Sequence, residues 1–373
     1  MSDDEADLEL LALLRQSLGL GDNAAKATPP NTRVLESAEW IYDNAIDVAI
    51  SSASTKNAAE QIYQLMQQKS YSTGTWSSHA LHPKLTKDNE EETVNFIFTM
   101  NLLNFSFWSQ LAETERFAVE FQGEKWTGYW SLVAALQRAL EEGYPITSPD
   151  FWQDRDACPD NVLEHIFRSA TNEPMPLLSD RISILRDAGN VLYHHFDCRP
   201  ANIIQRANGS AAALVNLLTD HFANFRDVAY FQDRQVRLLK RAQILVADIW
   251  ACFQGSSYGA FSDIDSLTMF ADYRIPQMLQ SLNCLWYSPR LESKILRNEL
   301  LEPGGELEVE IRGCSIWCVE LIRREILKKH PEAKGKVNAV LIDFFLYDTC
   351  KEMEKKGELD ESLPHHRTRS IFY

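Results

Sequence analysis

Asp272 lies in the run Phe270-Ala271-Asp272-Tyr273-Arg274-Ile275-Pro276-Gln277, which sets a carboxylate and a guanidinium two residues apart just ahead of a proline. Proline disfavours helical geometry at the residue before it and suits the first position of a new helix. The spacing predicts a short helix through Leu267, Met269 and Phe270, capped by Asp265 or Ser266. A break follows, then a second helix anchored by Met278, Leu279 and Leu282. Backbone groups at such a break lack helical partners. Asp272 and Arg274 therefore either satisfy the junction as a local ion pair or are aimed at a ligand.

A second group sits in Leu341-Ile342-Asp343-Phe344-Phe345-Leu346-Tyr347-Asp348, where two carboxylates interrupt an apolar run. A buried Asp demands a partner. Arg312 or Arg369 would supply a structural pairing; alternatively, ionised carboxylates are pure acceptors and suit a ligand that offers N–H donors. Lys240 and Arg274 are the candidates for holding an anionic group, or else internal salt-bridge partners. Asp248 is too far along the same segment to pair with Lys240, whereas either carboxylate of the 341–348 run can reach it. His79 lies in a turn-rich loop over 72–83 together with Trp76 and His82.

The elements that must carry these residues read as helical. Leu35, Ile41, Ile46, Val48 and Ile50 are spaced for one or two helices, and Ile62, Leu65 and Met66 continue the pattern through 61–68. Phe96, Phe98, Phe105, Phe107 and Trp108 imply a deeply buried element, since each ring covers roughly 150–250 Å². An aromatic turn and helix are expected over 126–140, a long helix with Lys240 and Asp248 over 235–251, and three more helices in the last hundred residues, with 306–329 the clearest. There is no internal repeat and no strand–helix alternation, so a doubly wound sheet is not expected. The fold class is mainly α. Residues 1–31 read as an acidic extension with a short amphipathic helix over 5–18 and a linker around Pro29-Pro30, and 32–373 as a single helical domain.

The chain of 373 residues carries a formal net charge of −16. That balance opposes docking on long nucleic acid, which needs clustered Lys and Arg to release counterions, yet leaves room for a local cationic pocket that holds one phosphate. Seven scattered cysteines without a CxxC pair point to a reducing compartment. Cys314 and Cys318, one helical turn apart, have no neighbouring Cys or His to complete a zinc site, so core packing is expected and no metal or cofactor. The N-terminus is acidic where a signal peptide would be basic, and no apolar stretch reaches about 18 residues. A cytoplasmic protein, also compatible with the nucleus, is the expectation, with no membrane association.

The stretches 103–108 (LNFSFW), 128–132 (GYWSL), 240–248 (KRAQILVAD), 270–277 (FADYRIPQ), 308–320 (EVEIRGCSIWCVE) and 364–373 (PHHRTRSIFY) together closely resemble the queuosine salvage family. The resemblance runs in order from about residue 35 onward. It implies a fold like that of helical DNA glycosylases and hydrolysis of queuosine 5′-monophosphate to release the base queuine for reuse in tRNA modification. The leaving group is a 7-deazaguanine, which lacks the ring nitrogen through which purines are usually activated. A carboxylate beside the sugar must then stabilise an oxocarbenium-like centre and orient or deprotonate water.

On the resemblance Asp272 takes that catalytic role, and Phe270, Asp343, Phe344 and Asp348 contact the base and its cationic amine. Phe344 replaces the Tyr that family members often carry, so a hydroxyl contact there is missing. His79, in a variant of the family's His-x-Leu-Asn-Pro, would bond the ligand's diol or ribose. The substrate expected is thus a small nucleotide. A non-catalytic nucleobase carrier and a DNA-repair-type glycosylase are the alternatives; the acidic charge opposes the second.

Overall fold

A computed structural model describes residues 29–360 and 362–373. Residues 32–373 form one compact unit. The helix expected over 5–18 lies outside the described residues.

The centre of the unit is the 24-residue helix Glu306–Lys329. Its stretch 308–320 is buried on every side, with Val309, Ile311, Cys314, Cys318 and Val319 at 0 % exposure, because other elements cover all its faces there. Helices Val34–Asp43, Ser52–Gln68, Arg274–Ser281 and Ala339–Lys356 pack on it. Gly313 permits the closest of these approaches: a Cβ built there would lie 2.5 Å from Ile41 side-chain carbons. The buried charged residues on the central helix, Glu308, Glu310, Arg312 and Glu320, are each engaged. Glu310 Oε1 accepts the backbone N–H groups of Ile46 and Val48, both at 2.7 Å. Arg312 pairs with Glu308 and Asp227.

A second layer comprises Glu90–Leu102, Tyr129–Glu141, Leu178–Phe196, Ala211–His221 and Lys240–Cys252. Phe96, Phe98, Phe105 and Trp108 are buried there as the ring density required, while Phe107 is half-buried. The strands described make three separate two-stranded antiparallel sheets. Among the described residues no helix is long and apolar enough to cross a membrane.

Several boundaries differ from the sequence expectation. The first helix stops at Asp43, and Val48–Ile50 is a strand paired with Leu285–Tyr287. Val48 and Ile50 follow a period of two, which the helical reading overlooked, and Ile46 is exposed. The helix expected over 235–251 begins only at Lys240, because Arg234–Arg237 pairs with Val228–Phe231 in a hairpin. Its two-residue turn, Gln232-Asp233, has both φ values positive, a geometry that Asn-Gly usually announces. The last hundred residues contain Arg274–Ser281, Pro289–Leu296, Glu306–Lys329 and Ala339–Lys356, one helix more than expected.

Candidate functional site

The short helix expected through Leu267, Met269 and Phe270 is absent. Ile264–Ser266 is a single 3-10 turn, and 267–272 runs without regular secondary structure. This segment is buried, so its backbone polar groups must find partners elsewhere. Gln243 supplies one, its Oε1 accepting Thr268 N–H at 3.0 Å. Asp343 Oδ2 accepts Phe270 N–H at 2.9 Å, and Arg312 Nε donates to the Ala271 carbonyl at 3.1 Å. Side chains from three different helices therefore hold the segment straight in place of a helix of its own.

Asp272 ends this segment and caps the next helix. Its Oδ1 accepts the N–H groups of Arg274 and Ile275, both at 2.8 Å. Two orphan donors of Arg274–Ser281 are thereby satisfied by a negative charge at the positive end of the helix dipole. Pro276 is the third residue of that helix, where its missing N–H costs no helical bond. Asp272 Oδ2 makes no hydrogen bond among the described residues, and the residue is 9 % exposed. The carboxylate is fixed through one oxygen and presents the other.

Two ionisable groups act on it. Lys240, the first residue of its helix, is buried, and its strongest attractive charge is Asp272, followed by Asp343. Burial outweighs both and pulls the Lys240 ammonium down to about 8. Burial and then the neighbouring charge of Asp272 push the Asp343 carboxyl well above the usual carboxylate range, against the opposing effects of the Phe270 N–H and Lys240. Arg274, by contrast, is committed to Glu354 at 2.6 Å and Gln277 at 3.1 Å, the internal salt-bridge alternative. Of the two cationic candidates, Lys240 is the one with no ion pair among the described residues, and Asp272 is its strongest attractive charge.

Helix Ala339–Lys356 brings the second carboxylate group. Asn338 caps its start by accepting Leu341 N–H at 2.9 Å, and Gly357, at φ 70°, turns the chain off at its end. Asp343 and Asp348, five residues apart, point roughly 140° from one another around this helix. They accordingly have different partners. Asp348 Oδ2 accepts Tyr71 O–H at 2.5 Å, and burial raises its carboxyl. Neither Arg312 nor Arg369 pairs with them: Arg312 is bound to Asp227 and Glu308, and Arg369 to Ser106 Oγ and the Trp108 carbonyl. The structural pairing open from sequence is therefore not the one adopted. The rings of Phe270 and Phe344 lie 6.0 Å apart, tilted by 54°, beside Asp343.

His79 stands on the other flank. Its ring stacks on Trp130 at 3.3 Å, its Nδ1 accepts Leu81 N–H at 3.2 Å, and Trp130 packs edge-on against Tyr129 at 4.8 Å. Burial raises the Tyr129 phenol well above its ordinary range, with the charges of Asp248, Tyr347 and Asp348 adding to the effect. An open cleft of about 520 Å³ lies beside the same loop, lined by His82, Lys84, Glu92, Gln137 and Glu141. It contains none of the converging carboxylates, and the buried cluster is the better candidate because charge, rings and acceptors meet there.

Sequence reasoning passed over Tyr347, Tyr129, Tyr71 and Asp227. Tyr347 had a signal, since it stands one helical turn beyond Asp343. Burial drives its phenol well above the ordinary range, and among the charges that act on it are Asp272 and Arg274. Tyr71 and Tyr129 come from distant segments and had none. Cys314 and Cys318 are both fully buried in the core.

The frame is mainly helical, and it buries the capped carboxylate of Asp272 together with Lys240 and Phe270. Comparison with known sequences gives the family. The queuosine salvage protein family matches residues 81–373, and the chain belongs to it. A Schizosaccharomyces pombe relative is 44 % identical over 354 residues, covering 92 % of this chain and 100 % of the relative. One from Nematostella vectensis is 41 % identical, covering 91 % and 97 %, and a bacterial one from Sphaerobacter thermophilus is 38 % identical, covering 85 % and 91 %. All three are named queuosine 5′-phosphate N-glycosylase/hydrolase.

Proposed function

We propose that this protein hydrolyses the N-glycosidic bond of queuosine 5′-phosphate and releases queuine for salvage. The observation that carries the reading is Asp272: one oxygen locked by two backbone N–H groups, the other presented beside Lys240 and Asp343. The full-length likeness to relatives of that name supports it.

In this reading the presented oxygen of Asp272 lies against the anomeric carbon and stabilises positive charge as the bond to the base lengthens. The same oxygen orients the attacking water and takes its proton, and the departing base nitrogen is protonated in turn, so that a sugar hydroxyl and neutral base are the products. Because the helix N–H groups already hold the carboxylate, little reorganisation accompanies the charge build-up. Lys240 balances the 5′-phosphate. Phe270 and Phe344 flank the flat base, and Asp343 accepts from its N–H edge. Asp348, with Tyr71, receives the cationic amine, and His79 the diol. Arg274 has no part in phosphate binding here, being held by Glu354. Seven free thiols accord with a cytoplasmic site of action, also compatible with the nucleus.

Mass-spectrometric detection of queuine after incubation with queuosine 5′-phosphate tests the proposal. Wild-type protein is expected to release it and Asp272→Asn to bind queuine without releasing it from the nucleotide. Wild-type protein that binds queuine yet releases none would establish a carrier instead.

A further inference from the structure

Asp248 is a buried carboxylate outside the cluster around Asp272, eight residues beyond Lys240 on the same helix and 3 % exposed. No cation pairs with it among the described residues. Its Oδ1 accepts the Trp76 indole N–H at 2.9 Å and its Oδ2 accepts the Asn101 amide at 2.8 Å. Enclosing a carboxylate with two neutral donors is costly, and burial accordingly raises it to about 7.

What the carboxylate holds is the start of a chain of contacts. Trp76 stacks on His82 at 3.8 Å with 18° between the planes. His82 Nδ1 lies 2.7 Å from the Trp76 carbonyl, and Nε2 lies 2.8 Å from the Tyr129 hydroxyl. Burial keeps this imidazole neutral, with its pKa lowered to about 3. A carbonyl can only accept, so the proton resides on Nδ1, and Nε2 must accept from Tyr129 O–H. The Tyr129 oxygen is thereby left as an acceptor. Three residues before His82, His79 stacks on Trp130, which packs against the same Tyr129.

We propose that Asp248 is a positioning residue that acts through Trp76 and His82 to strap the 72–83 loop down and set the His79–Tyr129–Trp130 wall opposite the carboxylate helix. The loop is then a fixed wall of the pocket. The inference rests on the proposed function for what the wall contacts, but the strap itself is independent of it.

The test uses Trp76→Phe, which keeps an aromatic ring to lie against His82 but removes the indole N–H, together with Asp248→Asn and Asp248→Ala. Loop amide hydrogen exchange over 72–83 and steady-state release of queuine are followed in the intact protein. Trp76→Phe and Asp248→Ala are expected to speed loop exchange and raise KM about tenfold, the loss of one strong hydrogen bond, with kcat within about threefold. Asp248→Asn is the rescue. Its amide oxygen still accepts from Trp76, and its N–H₂ meets Asn101 Oδ1, otherwise buried without a partner, once the Asn101 amide turns over and gives up its bond to the Ile97 carbonyl. KM within about twofold of wild type is expected. Unchanged loop exchange in Trp76→Phe overturns the strap, whatever the enzyme activity. A rise of KM in Asp248→Asn as large as in Asp248→Ala, or a fall of kcat well beyond threefold in Asp248→Asn, overturns the positioning role, because the charge and not the geometry would then matter. Absence of queuine release by wild type would bear on the proposed function alone, with loop exchange still deciding the strap.

Discussion

The backbone N–H of Phe270 donates to Asp343 Oδ2 at 2.9 Å, tying the segment that ends in Asp272 to the Ala339–Lys356 helix. One oxygen of Asp343 is thus structural, and the other is available to a ligand. Asp343→Asn keeps the first bond through its amide oxygen but can offer a donor where the base needs an acceptor. KM for queuosine 5′-phosphate is expected to rise about ten- to hundredfold with kcat changed little. Asp343→Ala strands the buried Phe270 N–H as well and should lose roughly 1–3 kcal/mol of stability. Steady-state kinetics and urea unfolding separate the two effects.

Asp272→Asn preserves the cap, because an amide oxygen accepts from Arg274 and Ile275 as the carboxylate does. The charge is lost while the geometry is kept. Turnover should fall by about 10³-fold or more, with the denaturation midpoint moved only slightly. Single-turnover release of queuine, measured beside queuine binding, checks this. Full turnover in that variant would remove Asp272 from the chemistry.

Lys240 supplies a pH limb. Its ammonium, drawn down to about 8 by burial, loses its charge as pH rises through that value in the free enzyme. Attraction for a 5′-phosphate is then lost, so kcat/KM for the nucleotide is expected to decline above pH 8. The nucleoside, without a phosphate, should lack this limb. A pH profile of both substrates, repeated on Lys240→Met, makes the comparison.

Asp248 gives a stability signature with the opposite sense to a salt-bridged carboxylate. Its folded-state pKa is raised to about 7, above the unfolded value. Between roughly pH 4 and 7 the native state holds more protons than the unfolded chain, so this group's contribution is complete at low pH and is lost as pH rises through 7. The ionisable groups that feel its charge, Tyr129 and Cys252, offer no cation to reverse the effect. Denaturant unfolding from pH 4 to 8 should show a smaller decline in Asp248→Asn than in wild type.

Gly313→Ala tests the packing of the frame. The added methyl would meet Ile41 at 2.5 Å, and both helices are fixed by other contacts. A loss of about 1–3 kcal/mol is expected in urea unfolding despite alanine's better helix propensity.

The sequence made the helical class legible because long buried helices such as Glu306–Lys329 announce themselves by apolar content and length. Short strands did not: Val48–Ile50 has three residues, too few for alternation to stand out from a helical pattern. Around Asp272 the proline marked a boundary correctly, but a helix was expected where extended chain occurs. The reason is that Gln243, Asp343 and Arg312 supply the hydrogen bonds that local propensity would otherwise have demanded. The same cause hid Tyr71, Tyr129 and Asp227, whose partners lie far away in sequence.

The pair between Arg312 and Asp227 joins positions 85 residues apart. Asp227 Oδ2 also accepts Lys240 N–H at 3.1 Å, while Arg312 reaches the carbonyl next to Asp272. Four segments therefore meet at one buried ion pair, and the candidate site depends on all four of them. Ligand-binding competence is accordingly expected to vanish in step with the cooperative unit as a whole and not by gradual fraying.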